Sequence, residues 1–224
     1  MAESTHFYEL FQPTHYNVYL DINRATKLIS GTSTITGDAK QTSIAIHQKY
    51  MTISAVKADG QDVPFTFDDA SEGIHIDLGK TGETTVAIDF TAPLTDSMMG
   101  IYPSYYELNG EKKQLIGTQF ETTAARQAFP CVDEPEAKAT FDLAIKFDEH
   151  EGETIISNMP EVKTENGVHT FDTTVRMSSY LIAFAFGEMQ SKLTTTKSGV
   201  KVGVFATKAH QAKELDFALD IAKR

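Results

Sequence analysis

Tyr16-Asn17-Val18-Tyr19-Leu20-Asp21-Ile22 alternates without a break. In an extended chain, successive side chains point to opposite faces. Tyr16, Val18, Leu20 and Ile22 therefore share one face, and Asn17, Tyr19 and Asp21 the other. This is a strand with one buried side. Working outward, the same period returns. Residues 29–39 are rich in Thr and Ser around Ile35 and read as an exposed strand of good β propensity. Short strands follow at Ile44 and Ile46 and at residues 53–56. Asp59-Gly60 marks a turn, after which Val63, Phe65 and Phe67 alternate, then Ile74, Ile76 and Leu78. Gly79-Lys80-Thr81-Gly82 turns the chain into Thr84, Val86, Ile88 and Phe90. Strands at this spacing predict an all-β, sandwich-like domain of curved multi-stranded sheets rather than βαβ units.

Residues 94–113 break the pattern with Met98-Met99-Gly100-Ile101-Tyr102-Pro103, Tyr105-Tyr106 and Asn109-Gly110. They read either as a hairpin turning at Asn-Gly or as a long aromatic loop. Further on, Phe141, Leu143, Ile145 and Phe147 alternate, and residues 154–157 and 168–171 form short strands. Residues 181–186 are apolar on both faces and are expected in the middle of a sheet. A last hairpin over residues 193–205 turns at Ser198-Gly199. The period then changes. Ala212, Leu215, Ala218, Leu219 and Ala222 fall on one helical face, widened by Phe217 and Ile221, with Lys213, Asp216, Asp220 and Lys223 opposite. A helix with so broad an apolar face after a β domain reads as the beginning of another unit. The expected division is 1–188 and 189–224, in the N-terminal part of a longer protein.

The 224 residues, 41% of them hydrophobic, suffice for a large core. A net charge of −11 argues against nucleic acid or an anionic membrane as partner and suits cationic ligands, besides serving solubility. One cysteine makes no internal disulfide. Met1-Ala2-Glu3-Ser4-Thr5-His6 shows no basic segment leading into an apolar run, and no apolar run approaches the roughly 20 residues that span a bilayer. A cytoplasmic protein is expected.

Between residues 118 and 141 carboxylates, Arg126, two prolines and Cys131 crowd together. Seven histidines are present, but no His-Glu-x-x-His, so no metal site and no catalytic residue are expected in this chain. His75 and His169 read as exposed strand positions. Cys131 lacks a recognisable histidine base and reads as a buried structural cysteine. Asp133-Glu134 reads as a pair bound to cations such as Arg126 or Lys138. Gln119 and Glu121 are spaced i, i+2. If residues 115–121 form a strand, both lie on one face, with Phe120 on the other. An amide oxygen beside a carboxylate suits the three donors of an ammonium group. Two solvated polar side chains would carry the same spacing.

Thr118-Gln119-Phe120-Glu121, Thr123, Ala125-Arg126, Ala128-Phe129-Pro130-Cys131, Asp133-Glu134-Pro135 and Lys138-Ala139-Thr140-Phe141 together resemble the signature of the aminopeptidase N-type zinc metallopeptidases. Gly100-Ile101-Tyr102, Ser157-Asn158-Met159-Pro160 and the run from Met177 to Phe184 extend the resemblance. Thr122, Ala124, Gln127 and Val132 depart from it. The resemblance implies a saddle-shaped β domain followed by the start of a thermolysin-like α/β catalytic domain. It implies that Glu121 binds the α-ammonium of a peptide with a free N-terminus and that Gln119 lines the first side-chain pocket. Arg126, Asp133 and Glu134 would hold the loop. The partners implied are such peptides and the remaining domains of the same polypeptide. Zn2+ would belong to the full-length parent, because its ligand motif is not in these residues, so this chain alone is expected to be inactive. The alternative is a non-catalytic all-β interaction module using Tyr102, Tyr105 and Tyr106. A third expectation keeps the family but changes the reaction, since some relatives hydrolyse an epoxide.

Overall fold

The computed structural model describes residues 6–223. Met1–Thr5, most of the segment read above for a leader, lie outside the described residues. The architecture is all-β, in four sheets. The largest runs β13 (Glu161–Glu165), β14 (Val168–Phe171), β11 (Thr140–Phe147), β1 (Phe11–Asn23), β2 (Leu28–Ala39), β8 (Gly82–Pro93), β4 (Thr52–Ala58) and β5 (Gln61–Asp62). Its pairings are antiparallel except β1 with β11. A second sheet orders β12 (Thr154–Ser157), β15 (Phe184–Gly187), β10 (Glu111–Gln119) and β9 (Gly100–Leu108). A third orders β3 (Ser43–His47), β7 (Gly73–Asp77) and β6 (Phe65–Asp68). The fourth is the hairpin β16 (Met189–Thr195) and β17 (Lys201–Thr207). The helices are a single turn, α1 (Phe7–Leu10), and α2 (Ala212–Ala222).

The period-two reading of β1 holds. Tyr16, Val18, Leu20 and Ile22 are each at most 1% exposed, and they join Ile35, Val86, Ile88 and Phe141 in one core. A continuous apolar face of this kind supplies most of the driving force, at about 25 cal/mol for each Å² of apolar surface removed from water. From Gly100 on, residues 94–113 belong to the β9–β10 hairpin, which turns at Asn109-Gly110, both in the left-handed region. Its tyrosines are tied to their neighbours. The Tyr105 hydroxyl donates to Asp96 at 3.1 Å, and the Tyr106 hydroxyl to the Glu188 carbonyl at 3.3 Å.

Four expectations are corrected. Residues 29–39 are not an exposed strand, because β2 lies between β1 and β8 with its apolar face buried. Threonine and serine fill its other face, where Thr32 donates to Asp89 at 2.6 Å and Thr36 meets Thr85 at 3.1 Å. His169 is 7% exposed and stacks on Phe147, with Nδ1 3.0 Å from Glu161. The run over 181–186 is not one strand. Leu181 ends a 3₁₀ turn and is exposed, and the strand begins at Phe184, inside the four-stranded sheet as expected. Residues 115–121 are not all strand either: β10 ends at Gln119. The Phe120 carbonyl accepts from Ala124 N–H at 2.8 Å, which turns the chain out of the sheet.

Helix α2 forms at the expected residues and packs on β16 and β17 through Leu215, 3% exposed, while Phe217 and Ile221 stay largely exposed.

Candidate functional site: an exposed acceptor pair on a buried brace

The stretch after β10 divides into a buried part and an exposed part. The buried part starts with Phe120, whose ring meets Phe129 edge-on at 6.1 Å. Phe129 meets Tyr16 at 6.5 Å, and Tyr16 stacks on Phe141 at 4.7 Å. The backbone of this segment is paired as closely as a strand. His47 and Cys131 exchange two N–H to carbonyl bonds, of 2.9 and 3.1 Å. Val132 N–H donates to the Tyr16 hydroxyl at 3.1 Å, and the Ser33 hydroxyl donates to the Pro130 carbonyl at 2.8 Å. A buried peptide group without a partner costs a desolvation penalty, so these bonds allow an irregular segment to sit in the core.

Asp133, 1% exposed, is the hub. Its Oδ2 accepts from Arg126 Nε at 3.1 Å and from Arg126 backbone N–H at 3.2 Å. Its Oδ1 accepts from the Ser179 hydroxyl at 2.7 Å. Arg126 also donates to the Asp133 carbonyl at 3.1 Å and to Glu72 at 3.2 Å. The Lys49 ammonium, with Arg126 behind it, holds the Glu72 carboxyl below the usual carboxylate range. Asp133 N–H donates to His47 Nδ1 at 3.2 Å. Burial, together with the Arg126 charge, pushes the His47 imidazole down to about 3, so the ring is neutral and free to accept. The expectation for Asp133 and Arg126 agrees with this arrangement. Glu134 differs: among the described residues it pairs with no lysine or arginine, and its two oxygens accept from Phe7 and Tyr8 N–H at 2.8 and 3.0 Å. A carboxylate facing two free N–H groups of a first turn explains the choice.

The exposed part is short. Gln119 pairs through its backbone with Gly100 at the open end of the β9–β10 hairpin, and Glu121 follows in the turn. Both are exposed while Phe120 between them is buried, although only Gln119 is in a strand. Among the described residues neither side chain has a hydrogen-bond or ion-pair partner in this chain. Gly100 lets β9 start beside them. Its φ is +72°, and a Cβ there would come within 3.2 Å of Gln127. The pair is thus exposed and unpartnered among the described residues, with the buried Phe120 between them and Gly100 across the hairpin from Gln119.

The remaining chemistry is structural. Cys131 is fully buried, and burial and the Asp133 charge push its thiol well up, so it is no nucleophile. Donor atoms of His6, Glu134 and Glu136 converge within 4.8 Å, but His6 and Glu136 are exposed and Glu134 already caps the first turn. These groups do not fit a catalytic zinc, which takes three firmly oriented ligands. Sequence reasoning missed His47, Glu72 and Ser179 in the brace. Ser179 lies within the run from Met177 to Phe184 that extends the resemblance, so that run held the signal; His47 and Glu72 left none.

Residues 12–181 match the family described as the Peptidase M1 N-terminal domain. Aminopeptidase N of Lactobacillus delbrueckii subsp. lactis is 67% identical over 218 residues, 97% of this chain and 26% of that protein. Aminopeptidase N of Lactobacillus helveticus is 63% identical over a like span. The puromycin-sensitive aminopeptidase of Caenorhabditis elegans is 35% identical over 94% of this chain and 24% of its own length. The chain therefore spans about a quarter of the curated relatives it matches. With its all-β sheets and its braced loop in the matched region, this chain belongs to the peptidase M1 N-terminal domain family.

Proposed function

We propose that this chain is the substrate-anchoring N-terminal domain of a zinc aminopeptidase. Glu121 accepts from the α-ammonium of a peptide with a free N-terminus, and Gln119 lines the pocket for its first side chain. One observation carries this reading: Gln119 at the end of β10 and Glu121 in the turn that follows are both exposed and, among the described residues, their side chains have no partner. An internal peptide bond presents no ammonium, so such a pair selects chain ends. Aminopeptidase relatives at up to 67% identity support the substrate class. Zinc and the group that activates water would come from the rest of the polypeptide, which is the other partner of this domain. The hairpin from Met189 and helix α2 pack on each other, which supports placing the start of the catalytic domain at 189–224. The single buried cysteine needs no oxidising compartment, which supports a cytoplasmic location.

The test is Glu121→Ala in the full-length enzyme. Loss of a charge-assisted hydrogen bond is expected to lower kcat/KM on peptides with free N-termini by roughly 10- to 100-fold. A variant with wild-type kcat/KM overturns the anchoring role. Activity on N-acetylated peptides equal to that on free ones would overturn the exopeptidase reading itself.

A further inference from the structure

Gly117 is the anomaly of the β10 edge. It sits mid-strand, two residues before Gln119 and on the same outward face, while Ile116 and Phe120 point into the core. Its φ is outside the left-handed region, so the backbone does not require glycine. A Cβ placed there meets nothing within 4 Å, so packing does not require it either. Glycine inside a strand costs stability, and it marks places where a ligand or another backbone comes close. Above Gly117 the outer face of the sheet is hollow. The hollow is ≈ 420 Å³, within the range of ligand pockets, and is bounded by Tyr102, Ile156, Asn158, Ala183 and Ala185. Tyr102 is the cross-strand partner of Gly117 and forms one wall. Asn158 fixes the rim, since its side chain accepts from Ala183 N–H at 2.8 Å and donates to the Leu181 carbonyl at 2.9 Å.

We propose that this hollow receives the side chain of the substrate's third residue and selects bulky apolar groups there. The inference rests on the reading of Gln119 and Glu121 as the anchor. The spacing supports it. Along a strand, alternate residues lie roughly 7 Å apart on one face. In an extended peptide the first and third side chains also lie roughly 7 Å apart and point the same way. A first side chain over Gln119 puts the third over Gly117. The lining is mainly apolar, which fits an aliphatic or aromatic side chain rather than a charged one.

The experiment compares kcat/KM of the full-length enzyme for Ala-Ala-Leu and Ala-Ala-Ala. The wild type is expected to favour the leucine peptide by on the order of tenfold. Gly117→Leu fills the hollow and should bring the ratio close to one, and Gly117→Ala, whose Cβ enters open space, should lower it part-way. Glu121→Ala should depress both substrates together and leave the ratio standing, so failure of the anchor and failure of the hollow are told apart. A wild type without preference, or a ratio untouched by both Gly117 variants, overturns the proposal. So does a fall in Tm of Gly117→Leu with the ratio unchanged, which would mean that another segment of the polypeptide covers this face.

Discussion

Residues 119–122 and residues 124–139 are neighbours in sequence and opposites in physics. In the second region Arg126, Asp133 and the carbonyls of Pro130 and Cys131 are buried and bonded. In the first, Gln119 and Glu121 are exposed and bonded to nothing among the described residues through their side chains. The difference separates two kinds of work within one stretch. Most of the family-matching residues position a loop inside the core, and two residues are left exposed, as the proposed anchoring role requires. A precise site needs this division, because an exposed acceptor is only as well placed as the buried groups beneath it.

The comparison breaks most visibly at Asp133. Asp133→Ala leaves Arg126 buried with Glu72 as its remaining carboxylate and strips the Ser179 hydroxyl of its acceptor. Removing one partner from a buried pair costs about 3–5 kcal/mol. Urea unfolding of this chain should show a loss of unfolding free energy of that size. A cost under about 1 kcal/mol would mean that the brace is ornamental and that Phe120 and Phe129 alone hold the edge.

Much of the fold was legible because its strands are long and one-sided. The β1 pattern of Tyr16, Val18, Leu20 and Ile22 has one solution, since a one-residue slip would expose all four. The strand β2 was misplaced because threonine and serine look the same whether they face water or, as with Thr32 and Asp89, a neighbouring strand. His169 was misplaced for a like reason: a strand position across from Ile145, with its ring stacked on Phe147, is buried by a distant partner, not by its own sequence. Of the proposed site, Gln119 and Glu121 stand out by spacing and resemblance, and the structure leaves both exposed. The end of β10 was not legible, because it depends on a single turn bond from Ala124. His47 and Glu72 were not, because they come from 54 or more positions away in the chain, as the 86-residue separation of His47 from Asp133 illustrates.

His47 offers a smaller way to sharpen the same contrast. Its folded value near 3 lies below the ordinary histidine value of about 6.5. As pH falls below about 6.5 the unfolded chain takes up a proton that the folded chain refuses. The stability tied to His47 is therefore complete above about pH 6.5 and is lost progressively as pH falls toward 3. Between pH 7 and pH 5 the loss is about 2 kcal/mol. His47→Asn, which retains an acceptor for Asp133 N–H, should flatten this slope relative to the unsubstituted chain. Equal slopes in the two chains would show that His47 is not the titrating group.

The smallest expected effect is the most diagnostic. If Gln119 and Glu121 exist to be exposed, removing them should leave the fold alone. Among the described residues neither has a side-chain partner to lose, and exposed substitutions of this kind shift stability by no more than about 0.5 kcal/mol. The double variant Gln119→Ala with Glu121→Ala should therefore unfold within that margin of the unsubstituted chain, while the same pair in the full-length enzyme loses free-peptide turnover. A large stability loss would reverse the assignment. It would place the pair among the supports, and the contrast between brace and acceptor would dissolve into one structural element. A gain in stability would argue the other way. Glu121 adds an unpartnered negative charge to an already acidic chain, and relief of that repulsion on removal is what a site kept for a cationic ligand predicts.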